Sequence, residues 1–156
     1  MQEEVLATVA ASAPRRWTGV GMLVTVGALV IYVALASPPE LGWQVFLLVS
    51  GAAAFWLARR MWYATEDRIE LTQSQLRTGS GQVICNIEDV EGVDRGVFAF
   101  KPSNGFLVIT HARSSNQWAP GLWWRVGRRI GIGGMTAAAE TKYMSEMLSA
   151  MLAEKS

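Results

Sequence analysis

The side chains in this chain that could carry chemistry are few and widely spaced. His111 is the only histidine and Cys85 the only cysteine. A Cys85–His111 nucleophile pair stays open on sequence, since it needs only hydrogen-bond reach in the fold, but the strand position of Cys85 points to a buried small apolar residue. No two- or three-residue set has metal-ligand spacing, so no zinc site is expected. Glu88, Asp89, Glu91 and Asp94 cluster, with the character of a solvated turn and edge rather than a cation site. The most conspicuous local feature is Gly127-Arg128-Arg129-Ile130-Gly131-Ile132-Gly133-Gly134. Glycines ahead of a helix can offer backbone amides to an anion, and Arg128 and Arg129 would add charge. A dinucleotide fingerprint, however, follows the first strand of a repeated strand–helix unit. Here the glycines follow the last expected strand, and only one helix comes after. A structural turn is expected, with a weak phosphate or headgroup site as its rival. No catalytic residue, metal or cofactor is expected.

Trp118, Trp123 and Trp124 lie close in sequence to Arg125, Arg128 and Arg129. Trp rings favour a membrane interface, and each basic residue near an anionic surface contributes about 1 kcal/mol. These six residues are the candidate surface for lipid or a protein partner. Successive strand residues face opposite ways, so Trp123 and Trp124 cannot both point at lipid. The plainer expectation is one Trp in the core and one half-exposed, with Arg stacked on an aromatic face. Aromatic and cationic residues also bind single-stranded nucleic acid. The soluble part from Arg59 onward carries twelve Lys and Arg against ten Asp and Glu, a near balance that argues against nucleic acid as a partner. The charge is uneven, since Arg95–Ala139 holds six bases and no acid.

The elements that must position these residues begin with two apolar runs, Trp17–Ala36 and Leu41–Ala58, joined by Ser37-Pro38-Pro39-Glu40. Neither run contains a charged side chain. About 20 apolar residues in a helix span a hydrocarbon core of roughly 30 Å. The second run reaches that length if it continues through Met61, Trp62 and Tyr63. Backbone groups in lipid must be paired internally, so both runs are expected to be helices. A cleaved signal peptide is the rival for the first run, but its apolar core is usually about 7–15 residues. A buried core hairpin of a soluble protein fits the uninterrupted apolarity less well. Arg15 and Arg16 precede the first run, Arg59 and Arg60 follow the second, and the turn has no base. Both termini are therefore expected in the cytoplasm. Small residues recur: Gly19, Gly21, Thr25, Gly27 and Ala28 in the first run, Ser50, Ala54 and Ala58 in the second. Such residues let helix backbones approach, either with each other or with a partner's helix. Gln44, the one amide in either run, is expected at the interface.

Residues 1–16 are read as a cytoplasmic N-terminal segment, 17–63 as the transmembrane hairpin, and 64–156 as one soluble domain, long enough for one small core. Alternation and turn residues predict strands at Arg68–Leu71, Leu76-Arg77, Gln82–Ile87, Val90–Phe100 and Phe106–Thr110. Lys101–Gly105 reads as a turn. Further strand pieces are expected at Gln117-Trp118 and Leu122–Val126, interrupted by Pro120-Gly121, with Arg128–Ile132 last. Thr136–Glu154 then changes to helical period. Met144, Met147, Leu148, Met151 and Leu152 share one face, expected to close a core because Met fills irregular gaps; the rival is a partner groove.

The expected fold class is thus a membrane α-helical hairpin plus an α+β or mainly-β unit, a bent antiparallel sheet or small barrel capped by a C-terminal helix. Arg68-Ile69-Glu70-Leu71, the Gly79–Gly81 turn, Val83–Val93 and the final helix resemble bacterial pleckstrin-homology-like (PH-like) domains found beside membrane spans. The hairpin, with Val97-Phe98-Ala99-Phe100-Lys101-Pro102-Ser103-Asn104-Gly105-Phe106 and Pro120-Gly121-Leu122-Trp123-Trp124-Arg125, resembles a group of small alphaproteobacterial membrane proteins of unassigned function. Related tethered domains include a photosynthetic reaction-centre assembly protein. The resemblance implies a setting at the bacterial inner membrane and a non-enzymatic role as scaffold, accessory subunit or assembly factor. The expected partners are membrane lipids and an integral membrane protein or a second copy. The alternative function is recognition of anionic lipid at the cytoplasmic face.

Overall fold

The computed structural model describes residues 3–96 and 101–156. The Val97-Phe98-Ala99-Phe100 motif, and with it the end of the strand expected over Val90–Phe100, lies outside the described residues. Strand β1 (Ala7–Ala10) comes first, then helices α1 (Ala13–Ala36) and α2 (Leu41–Ala64). Both helices are long and apolar enough to cross a membrane. Strands β2 (Arg68–Leu71), β3 (Gln75–Thr78) and β4 (Val83–Asn86) follow, then a 3-10 turn (Ile87–Asp89). Strands β5 (Val90–Asp94), β6 (Phe106–Ala119) and β7 (Trp123–Ile132) and helix α3 (Ala138–Lys155) complete the order.

α1 stops at Ser37 because the residue before a proline is pushed out of helical conformation. The two helices pack at a glycine seam. A Cβ added at Gly27 would lie 3.2 Å from Gly51 O, and one at Gly51 would lie 2.4 Å from Ile31 Cγ1. Ala34 and Ala58 are also buried there. Gln44 Nε2 donates to Ala34 O at 3.2 Å and ties the two helices beside their turn. The outer faces of the hairpin stay bare: Met22, Leu29, Leu35, Phe46 and Val49 are each more than half exposed.

The strands form two antiparallel sheets, β1-β2-β3-β4 and β5-β6-β7. β1 was not expected from the sequence. It pairs with β2 from Ala7 opposite Leu71 to Ala10 opposite Arg68. Residues ahead of the hairpin therefore belong to the sheet, and the two long helices occupy the loop position of an ordinary β-hairpin. The core lies between the sheets and under α3. Val9, Ile69, Leu71 and Leu76 meet Phe106, Val108, Ile130 and Ile132, and α3 adds Met144 and Leu148. The Met-bearing face of α3 closes this core, with Met147, Met151 and Leu152 packed partly buried against it.

β6 and β7 are longer than alternation predicts. β6 continues from Thr110 through His111–Asn116, which are exposed, and β7 is continuous where two pieces were expected. The ladder shifts register between Ile109 and Ser114 and again before Gln117. A solvated, shifted stretch has no buried face to impose period-2 patterning. The glycines after β7 are structural. Gly133 and Gly134 have φ of 137° and 125°, in the region that glycine tolerates. Gly134 N donates to Ser103 O at 2.8 Å, and Met135 N to Gly121 O at 2.9 Å.

Candidate functional site: the base of the apolar hairpin

The hairpin joins the sheets through a compact polar and aromatic joint. Only two residues separate β1 from α1, and the second of them, Ser12, donates its N–H to Met135 O at 2.7 Å. Arg16 sits one turn into α1. Its Nη2 donates to Trp62 O and its Nε to Thr65 Oγ1, both at 2.9 Å. Its guanidinium lies 3.6 Å from the Trp62 ring centroid, and Nη2 reaches Glu66 Oε1 at 3.5 Å. Trp17 packs edge-on against Trp62 at 4.9 Å. Arg16 thus closes the start of α1 onto the end of α2.

Trp56, Arg60 and Tyr63 recur at helical spacing on the last two turns of α2, with Arg59 beside them. They face Trp118, Ala119 and Pro120 at the end of β6 across a groove of about 470 Å³. The Arg60 guanidinium carbon lies 5.4 Å from the Trp56 ring and 5.2 Å from the Trp118 ring. Arg60 Nη2 also donates to Trp118 O at 3.3 Å. Arg59 lies 5.7 Å from the Tyr63 ring. A second open groove of about 650 Å³ adjoins the first, sharing Arg60 and Trp118 and adding Asn116, Gln117, Trp124, Arg125 and Val126. Cations over aromatic faces keep their outward donors while the rings cover one side. This arrangement can hold an anion with an apolar tail.

The six residues expected to form one surface part company. Trp118 is 48% exposed, whereas Trp123 is 4% exposed and belongs to the core. Trp124 is partly buried and covers Gly131, where an added Cβ would fall 2.3 Å from Trp124 Cε2. Arg125 is 7% exposed and turned inward. Its Nη1 donates to Ile84 O at 2.8 Å, its Nε to Gly127 O at 3.2 Å, and its Nη2 to Thr110 Oγ1 at 3.3 Å. Arg128 is exposed but paired with Glu91, and its Nε donates to Thr110 O at 2.8 Å. Arg129 is exposed. Trp123 and Arg125 are thus largely buried, and Arg125 reaches only the wall of the second groove.

The small residues of the helices also divide. Gly27, Ala54 and Ala58 lie at the α1–α2 seam, where Gly51 was missed; Ser50 is half-buried. Gly19 packs under Met135, whose Cε would lie 1.9 Å from an added Cβ, so it serves the joint. Gly21 meets nothing and faces outward. Arg59, Arg60 and Trp56 entered the sequence reading only as charges at a helix end or as part of an apolar run. Their spacing of three, four and seven residues from Trp56 to Tyr63 was the available signal.

Cys85 is buried, and burial pushes its thiol up to about 11, partly opposed by the nearby Arg125 charge. From its ordinary value of 9.0, that leaves about a hundredfold less thiolate at any pH well below both values. The thiolate is the reactive form. Native protein at pH 8 should therefore resist maleimide or iodoacetamide and label quickly once unfolded in guanidinium. Rapid labelling of the native protein would contradict a buried β4.

The chain matches no protein-family model, no curated protein and no solved structure.

Proposed function

We propose that this chain is a non-enzymatic module of the bacterial inner membrane, with the hairpin crossing the bilayer and both termini in the cytoplasm. The bare apolar flanks of the hairpin support the crossing, because a hairpin inside a soluble core would bury them. Arg15, Arg16, Arg59 and Arg60 support the orientation by the positive-inside tendency. The strand-rich unit capped by α3 is a PH-like domain in this reading. Its two antiparallel sheets closed by a C-terminal helix agree with that architecture.

The single observation that carries the role is the insertion of the hairpin between paired strands β1 and β2. A domain on a flexible tether tumbles. Here both helix ends enter one sheet and Arg16 locks them, so the domain holds a fixed height and angle to the bilayer. Such a platform suits a scaffold, accessory subunit or assembly factor for a membrane protein complex. Gly21, Thr25 and Ala28 are exposed on one side of α1 and are left for a partner's helix or a second copy.

The test is affinity purification of the full-length protein from native membranes in mild detergent, followed by mass spectrometry. A stoichiometric membrane-protein complex is expected from the wild type and lost from a Gly21→Leu/Ala28→Leu variant that still inserts. Recovery of the wild type alone would overturn the scaffold role. Anionic-lipid recognition is the second reading, favoured by the exposed Trp118 beside Arg59 and Arg60 at the base of the hairpin.

A further inference from the structure

We infer that the end of α2 is a phospholipid headgroup site, in which the phosphate of an anionic lipid rests on Arg60 where its guanidinium is held between Trp56 and Trp118. The inference rests on α2 crossing the bilayer, and it places lipid contact at the hairpin base rather than on the Trp123–Arg129 strand.

Arg59 and Arg60 are the first charges after the apolar run of α2, which sets them at headgroup depth. Neither is paired with a carboxylate among the described residues, whereas Arg16, at the same level, is closed by Glu66. Arg60 spends one donor on Trp118 O. A guanidinium has five N–H donors, and its planar fork matches phosphate geometry. The two Trp ring centroids lie 5.4 and 5.2 Å from the guanidinium carbon, within the range of cation–π attraction, and so favour this position of the fork. Trp56 lies one turn deeper along α2 than Arg60 and gives the groove an apolar wall toward the acyl region. Asn116 and Gln117 line the adjoining groove; their oxygens accept from Gly127 N and Gln82 Nε2, which leaves their amide N–H donors for the hydroxyls of a headgroup beyond the phosphate. The expected occupant is therefore an anionic phospholipid with a polyol headgroup, of which phosphatidylglycerol is the simplest probe.

The experiment uses the full-length protein in mild detergent with equimolar phosphatidylglycerol and phosphatidylcholine, read by native mass spectrometry. The wild type should retain phosphatidylglycerol over phosphatidylcholine by about tenfold or more, given two basic residues at the surface. Arg59→Gln/Arg60→Gln should abolish the preference, and Arg128→Gln/Arg129→Gln should leave it unchanged. Arg60→Lys, which keeps the charge but not the planar fork, should fall between wild type and the double Gln variant. No preference in the wild type, an unchanged ratio in the Arg59/Arg60 variants, or loss confined to the Arg128/Arg129 variant would each overturn the site. Carbonate-resistant membrane association of each variant separates loss of the lipid from loss of insertion.

Discussion

Replacing Arg125 with Met should destabilise the protein by about 3 kcal/mol, more than any other substitution of the six Trp and Arg residues singled out by sequence except Trp123. The cause is the loss of a buried charged donor. A hydrogen bond to a charged group contributes roughly 1.5–3 kcal/mol, and leaving buried acceptors unpaired costs about 1–3 kcal/mol each. Arg125 donates to Ile84 O in the first sheet and to Thr110 Oγ1, Ala112 O and Gly127 O in the second. Met fills the space of the stem but takes the charged donor from the buried Ile84 O, and it unfastens β4 from β6 and β7; Ala112 O keeps its bond from the Thr110 hydroxyl. Denaturant unfolding of the full-length protein in detergent, followed by near-UV circular dichroism, measures the effect. Arg125→Lys should fall in between, since an ammonium cannot reach acceptors on both sheets with one planar fork. Arg129→Met, at an exposed position, should change stability by no more than about 0.5 kcal/mol. Equal stability of the Arg125 and Arg129 variants would remove the staple.

Gly105→Ala should be comparably damaging, for a reason of shape rather than charge. An added Cβ would lie 1.9 Å from Ile132 O and 2.9 Å from Gly133 Cα. Both obstacles are backbone, so no side chain can rotate away. Overpacking in a tight interior typically costs about 1–3 kcal/mol and occasionally more; backbone against backbone belongs at the upper end. The contact has a second consequence. The Ser103–Gly105 turn holds Gly134, and Met135 O in turn accepts from Ser12 N at the start of α1. Spreading Gly105 from Gly133 should therefore loosen the hairpin joint. Hydrogen exchange should quicken at Ser12, Gly134 and Met135 beyond the global loss of stability. Gly92→Ala, where an added Cβ meets nothing within 4 Å, is the matched control. Matching exchange and stability in the two variants would sink the close-contact account.

Much of this architecture was legible from pattern. The two apolar helices announce themselves by length and absence of charge. α3 announces itself by periodicity, because it buries one face; β2 and β4 are found by their apolar residues and turns, although each buries successive residues, Ile69–Leu71 and Ile84-Cys85, and Val83 stays exposed. β1 was hidden: four residues, Ala-Thr-Val-Ala, stand between an acidic start and a proline, too short for alternation to be distinctive. The exposed middle of β6 was hidden because it buries no face: the Ser114–Gly127 pairing and side-chain bonds at Ala112 O and Asn116 Oδ1 hold it. The candidate surface was half legible. Aromatic and cationic types were the right ones, but adjacent strand residues look alike in sequence while one of each pair goes inside. Trp123 and Arg125 went inward, and the cation that meets Trp118 came from a helix 58 residues away in sequence.

The sequence by itself determined the long apolar hairpin, the strand-rich unit after it, the helix that ends the chain and the glycine turn ahead of that helix. Each is decided by neighbours within a few residues: apolar length, periodicity, and backbone angles open to glycine. Only the tertiary structure decided that the hairpin is set inside a β-hairpin, that Arg125 is a buried staple, and that Arg60 lies between Trp56 and Trp118. Those outcomes depend on pairing and burial between segments far apart in the chain. A side chain's chemistry there is set by what it packs against, which local spacing does not encode.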